Sequence, residues 1–196
     1  MKEALHKGKG AIGLSAHLGN YELAGAVLSL SGIKVNAVVL THRNRWVDSF
    51  FSRQRKRVGV KMIPVQQMRP REFLEACLST LASNEVLALV GDRDFFDRGM
   101  ELPFFEKKLK VPRGPASFAL RSHCPIIPSF LVRESDGRYR FFLEPPLVAR
   151  PHLPAEKAEE ELLQACLQVM AKYIRRYPTQ WYMFQEFWRP GRCVIV

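Results

Sequence analysis

The stretch Ser15-Ala16-His17-Leu18-Gly19-Asn20-Tyr21-Glu22 sets an imidazole and a carboxylate five residues apart across a Gly-Asn step. An imidazole takes up a proton near neutral pH, and a carboxylate on its other ring nitrogen fixes the tautomer and stabilises the imidazolium. His17 and Glu22 are therefore the candidate general base and its orienting acid. No serine or cysteine is evident as a nucleophile beside them. A pair of this kind would activate a substrate hydroxyl, not one belonging to the protein. The competing reading is a loop histidine and a first-turn glutamate that merely favours the helix dipole.

Other stretches carry charge in patterns that chemistry uses. Gly91-Asp-Arg-Asp-Phe-Phe-Asp-Arg-Gly99 holds Asp92, Asp94 and Asp97 beside Arg93 and Arg98. Such a cluster would hold a hard cation through oxygen ligands, position a phosphate, or brace a loop by internal ion pairs. Residues 42–61 contain seven Lys/Arg and one acid, with Trp46, Phe50 and Phe51 among them. A basic amphipathic helix of this kind suits an anionic membrane surface, and nucleic acid fits the charge equally well. A solvated helix face is the plainer alternative. Residues 102–122 set Phe104-Phe105 ahead of Arg113-Gly114 at a helix start, which is an anion-binding arrangement. The segment 180–190 packs five aromatic residues into a short span, either to seal the core or to face lipid.

These groups need particular elements to position them. At about 100° per residue, five steps leave two side chains roughly 140° apart on one helix. His17 and Glu22 share a site only if His17 precedes the helix and Glu22 lies in its first turn. The pattern supplies that arrangement: an apolar strand over 11–16, a turn at 17–19, and a helix over 20–32 with Asn20 as its N-cap. Strands are expected at 34–40, 60–65, 85–91 and 125–134, and helices at 46–59, 71–83, 112–122 and 155–177, with a long loop between 91 and 112. Asp136-Gly137 signals a hairpin into a strand at 138–145. The acids of the 155–177 helix fall at its start and its bases at its end, which suits the macrodipole. Repeated strand–helix alternation means an α/β fold: a mainly parallel central sheet with helices packed on it, plus the antiparallel hairpin. Reactive groups in such sheets gather at the carboxyl ends of strands. Both the His17 and the Asp92 stretches lie there.

Bulk properties narrow the class. A chain of 196 residues fits one domain with a real core. A formal charge of +11 implies an anionic partner. Cys77, Cys124, Cys166 and Cys193 form no CxxC pair and have no histidine at metal-ligand spacing, so they read as reduced thiols with no zinc site and no disulfide frame. The basic start is no signal peptide, and no run reaches the roughly 18 apolar residues that span a bilayer.

Taken in order, four motifs resemble those of the bacterial lipid A biosynthesis acyltransferases, within the wider lysophospholipid acyltransferase superfamily. His-Leu-Gly-Asn-Tyr-Glu (17–22) is similar to the family's His-x-Gly-Asn-Trp-Glu, with Tyr21 at the usual Trp. Gly-Asp-Arg-Asp-Phe (91–95) is similar to its Asp-x-Asp segment, whose middle residue is often Gln. Residues 102–130 resemble its Phe-Phe-Gly…Gly-Pro-Ala…Pro-Ile-x-Pro region, with Glu106 at the usual Gly. Pro178-Thr-Gln-Trp-Tyr-Met-Phe184 resembles its closing Pro-x-Gln-Trp-x-x-Phe.

The resemblance implies a fold like the glycerolphosphate acyltransferases, with helices on both faces of the sheet, as a single domain over 1–196 lacking the family's N-terminal membrane-anchoring segment. It implies O-acyl transfer from acyl carrier protein or coenzyme A to a hydroxyl of a lipid A precursor or related glycolipid, with the acyl thioester as co-substrate and no cofactor or metal. An acceptor such as a phosphatidylinositol mannoside is the alternative. His17 would be the base and Glu22 its partner, with backbone N–H groups near Gly19 and Asn20 receiving the oxyanion. Arg55 matches a family position tied to activity, with Arg53 and Arg57 close in register. Asp92 and Asp94 would have a structural or substrate-positioning role, and Arg113 would meet a substrate phosphate. The expected partners are acyl carrier protein, an anionic glycolipid and the cytoplasmic face of the inner membrane, held peripherally, without nucleic acid. The other classes to weigh are a non-catalytic anion-binding module, and a hydrolase in which the same pair activates water; the chain has no Gly-x-Ser-x-Gly elbow to favour the latter.

Overall fold

Strand and helix alternate from Ala11 to Val90 in a computed structural model that describes residues 1–150 and 152–183. In chain order the elements are α1 (Lys2–Leu5), β1 (Ala11–Ser15), α2 (Tyr21–Leu30), β2 (Val35–Val39), α3 (Arg45–Arg57), β3 (Lys61–Pro64), α4 (Pro70–Ala82), β4 (Val86–Val90), β5 (Met100–Phe104), β6 (Lys107–Val111), α5 (Gly114–Ser122), β7 (Ile126–Arg133), β8 (Tyr139–Leu143) and α6 (Ala155–Arg176). Six strands form one sheet in the order β3-β2-β4-β1-β7-β8. All its pairings are parallel except β7 with β8, the hairpin announced by Asp136-Gly137.

Every residue of β1 is buried, as expected of a strand covered on both faces. Alternate residues serve opposite layers. Ile12, Leu14, Leu87 and Leu89 pack with Leu81 of α4, Phe118 of α5 and Leu167 and Met170 of α6. Val35 and Val86 pack with Leu28 of α2 on the other face. The connection from β1 carries the chain to one side of β4, and the one from β4 carries it to the other side of β1. Strand order thus reverses at the β1–β4 pair, and the crevice outside their carboxyl ends is where open α/β sheets bind ligands.

The expected long loop between β4 and α5 instead contains the β5–β6 hairpin, a separate two-stranded sheet. Its turn is Phe105-Glu106, with Phe105 left-handed at φ 54°. A phenylalanine there is no turn signal, since the Asn-Gly and Asp-Gly steps that announce hairpins are absent. Leu102, Phe104, Leu109 and Val111 are buried, so packing against the core decides the conformation. The short α1 lies in the basic start, where the sequence showed no periodicity. Cys77, Cys124 and Cys166 are buried free thiols, and burial pushes Cys77 and Cys166 up to about 12. Cys193 and the aromatic residues beyond Met183 lie outside the described residues.

Candidate active site

Register places His17 beside Asp92. β1 and β4 run parallel with Ser15 opposite Val90. Two residues further along each chain, at the carboxyl ends of neighbouring strands, stand His17 and Asp92. The Asp92 carboxylate takes hydrogen bonds from both ends of the histidine: Nδ1 lies 2.6 Å from Oδ1, and the His17 backbone N–H donates to Oδ2 at 3.0 Å. The Trp181 indole N–H donates to the same Oδ2 at 3.0 Å. Asp92 is fully buried. Burial alone would push its carboxyl up, but the hydrogen bonds and charge of His17 and the indole N–H outweigh that and hold it below the usual range. An ionised Asp92 fixes the tautomer that carries its proton on Nδ1 and leaves Nε2 as the proton acceptor. Among the described residues nothing bonds to Nε2, and the His17 side chain is 17% exposed. The rings of Tyr21 and Phe95 stand edge-on to the imidazole, with centroids 5.4 and 6.3 Å away.

The turn after His17 is clamped by the chain's closing segment. Gly19 N–H donates to the Gln180 carbonyl at 2.9 Å, and Tyr182 N–H donates to the His17 carbonyl at 2.8 Å. Gln180 is itself held by Arg133, through its side-chain oxygen and amide. Gly19 has φ 62°, and a Cβ there would stand 2.2 Å from the Leu131 carbonyl oxygen, so only glycine fits. Asn20 caps α2, its side chain accepting from Leu23 N–H at 2.9 Å.

Three expectations are corrected here. Glu22 does not orient His17. It lies in the first turn of α2, one helical step from Tyr21, and Tyr21 is the residue turned to the imidazole. Glu22 faces α3 instead, where Arg55 holds both its oxygens in a bidentate pair, Nε donating at 2.9 Å and Nη2 to the other oxygen. Of the basic cluster, then, Arg55 meets Glu22, and its guanidinium also lies over Phe51. The backbone N–H groups of Gly19 and Asn20 do not wait for an oxyanion, because they already donate to Gln180 and Leu131. Arg113 does not offer a free cation at the start of α5: its guanidinium forms a two-point pair with the mostly buried Glu159, tying α5 to α6.

The aspartates of the 91–99 loop diverge. Asp94 accepts from Phe96 and Gly99 N–H groups and shapes the loop, while Asp97 pairs with Lys110. Only Asp92 turns to His17. Arg93 donates through Nη2 to the Tyr182 carbonyl, while its Nε is buried and unpartnered among the described residues. Tyr21 and Trp181 are the site residues that sequence reasoning missed. Both stood inside quoted motifs, but nothing in an aromatic's position along the chain shows which group its ring will pack edge-on against or bond to. An open groove of about 720 Å³ adjoins the turn, between Gly19 and Asn20 on one side and Arg133, Tyr139 and Tyr177 on the other.

Sequence comparisons identify the family of the chain. The model of the family described as "Bacterial lipid A biosynthesis acyltransferase" matches residues 1–190. A phosphatidylinositol mannoside acyltransferase of Mycolicibacterium smegmatis is 25% identical over 186 residues, which cover 94% of this chain and 59% of that protein. One from Mycobacterium tuberculosis is 26% identical over 185 residues, covering 94% and 56%. The chain thus spans somewhat over half the length of these relatives. The chain belongs to the bacterial lipid A biosynthesis acyltransferase family.

Proposed function

We propose that this chain transfers a fatty acyl group from a thioester donor to a hydroxyl of a glycolipid, with His17 as general base and Asp92 as the group that orients it. The observation that carries the reading is the His17–Asp92 pair, which leaves Nε2 unbonded at the crevice of the sheet. The acceptor hydroxyl gives its proton to Nε2 as its oxygen attacks the thioester carbonyl carbon. The tetrahedral intermediate then collapses, the C–S bond breaks, and the leaving thiolate takes the proton back from the imidazolium. Asp92 stays ionised throughout and stabilises the imidazolium electrostatically. No cofactor is required beyond the acyl donor, either an acyl carrier protein or coenzyme A. Glu22 and Arg55 keep the start of α2, and with it Tyr21, in place beside the imidazole.

The acceptor we favour is of the phosphatidylinositol mannoside class, on the strength of relatives that align over 94% of the chain. A lipid A precursor is the second reading, supported by the family match. Both are anionic glycolipids, and the formal charge of +11 suits either. The groove beside Gly19 has polar and aromatic walls of the kind that hold a sugar headgroup. We further propose that α3 lies on the anionic membrane from which the acceptor arrives. Trp46 is 83% and Phe50 52% exposed, and its last turn carries Lys56 and Arg57 beside the Glu22-paired Arg55. Among the described residues no helix is long and apolar enough to cross a membrane.

The test is acyl transfer by this chain, and by the chain with any upstream coding region restored, from labelled acyl-CoA and acyl carrier protein to each acceptor. Transfer lost in His17→Ala is the expected result. Failure to acylate either glycolipid, or transfer that survives His17→Ala, would sink the proposal.

A further inference from the structure

An oxyanion formed beside His17 needs a donor, and the two backbone N–H groups of the adjoining turn are taken by the Gln180 and Leu131 carbonyls. The donor must then come from a side chain. Tyr21, the first residue of α2, stands edge-on to the His17 ring at 5.4 Å. It is half-buried, and among the described residues its hydroxyl makes no hydrogen bond, although it lies within electrostatic reach of Glu22, Arg55, Arg93 and Asp92. A hydroxyl that no described protein group engages, on a ring packed edge-on against the imidazole, is available to a ligand. The other unpartnered donor nearby, Arg93 Nε, is enclosed, and the same guanidinium holds the Tyr182 carbonyl.

We propose that the Tyr21 hydroxyl donates the hydrogen bond that stabilises the acyl carbonyl oxygen as it becomes an oxyanion. The inference rests on the acyl-transfer reading above. As the acceptor oxygen forms its bond to the carbonyl carbon, the C=O π electrons move onto oxygen, and the acceptor's proton passes to His17 Nε2. Tyr21 keeps its own proton and shares it with the new anion. When the carbonyl re-forms, the electrons return and the C–S bond breaks. Burial, and next the Glu22 carboxylate, push the tyrosine pKa up, so the phenol remains a donor over the working range. The cationic Arg55 and Arg93 partly offset the Glu22 and Asp92 carboxylates at the same place. A hydrogen bond to an anion in a partly dry site is of the stronger kind.

Tyr21→Phe removes the hydroxyl and little else. The full chain and this variant would be titrated calorimetrically with the monoanion of hexadecyl methylphosphonate, whose tetrahedral anionic centre stands in for the intermediate. Transfer kinetics would be measured in parallel, and near-UV circular dichroism would check packing. The expected result is binding about 10–100-fold weaker in the variant, and kcat lower by about 10²–10³-fold with KM changed by less than about threefold. Equal binding by the two proteins, no binding by the unmodified chain, or a variant kcat within about threefold would overturn the assignment. Tyr21-dependent binding in a chain that acylates no acceptor would uphold the donor and overturn the acyl-transfer reading instead.

Discussion

The carboxylate of Asp92 holds His17 at two points, through ring Nδ1 at 2.6 Å and through the backbone N–H at 3.0 Å. One bond sets the tautomer and the other sets where the ring begins. The pairing is a property of the sheet, because parallel register carries the residues two steps beyond Ser15 and Val90 to the same place.

Asp92→Asn keeps the size of the side chain but removes the charge that stabilises an imidazolium. Acyl transfer is expected to fall by about 10²–10⁴-fold, the usual worth of a positioned general base, with kcat taking most of the loss. Glu22→Gln should fall less, since Glu22 does not touch the imidazole. If Glu22→Gln costs more than Asp92→Asn in single-turnover measurements, the assignment of the orienting acid is wrong.

Glu22 and Arg55 join α2 to α3 through a two-point ion pair with Arg55 largely buried. A double-mutant cycle with Glu22→Gln and Arg55→Met is expected to give a coupling of about 0.5–3 kcal/mol in urea unfolding. Additive effects would show that the pair contributes nothing to the fold. Arg55→Lys should not restore the coupling, since an ammonium cannot form the planar two-point contact.

Acid sensitivity follows from Asp92. Its pKa in the folded chain lies below the unfolded value, near 3.9 for an ordinary aspartate. A depressed pKa means that Asp92's contribution to stability is complete above about pH 4 and disappears as pH falls through the lower, folded value. The stability difference between the unmodified chain and Asp92→Asn should therefore shrink as pH falls below about 4. Urea midpoints that differ by the same amount at every pH would contradict this sign.

Membrane binding by α3 is tested with vesicles. Burying an exposed aromatic side chain in lipid is worth about 1.5–3 kcal/mol, so Trp46→Ala or Phe50→Ala should each weaken cosedimentation with anionic vesicles by about tenfold or more. Raised salt should weaken it further, by screening the basic residues. Binding unchanged in both variants would remove α3 as the contact.

Much of this protein was legible along the chain. Alternating apolar runs and amphipathic segments gave the parallel α/β sheet, Asp136-Gly137 gave the β7–β8 hairpin, and the order of four motifs gave the family. Those features are local, because period, turn chemistry and motif spacing are written within a few residues of one another. What only the tertiary structure decided was pairing across distance. The carboxylate nearest to His17 in sequence, Glu22, faces away because one helical step turns it toward Arg55 on α3. Asp92 lies 75 residues off, yet register makes it the partner. Trp181 and Gln180 reach the same place from the chain's closing segment. A hydrogen bond depends on position in space, and a chain folded through five parallel strands brings together groups whose separation along the sequence carries no trace of their contact.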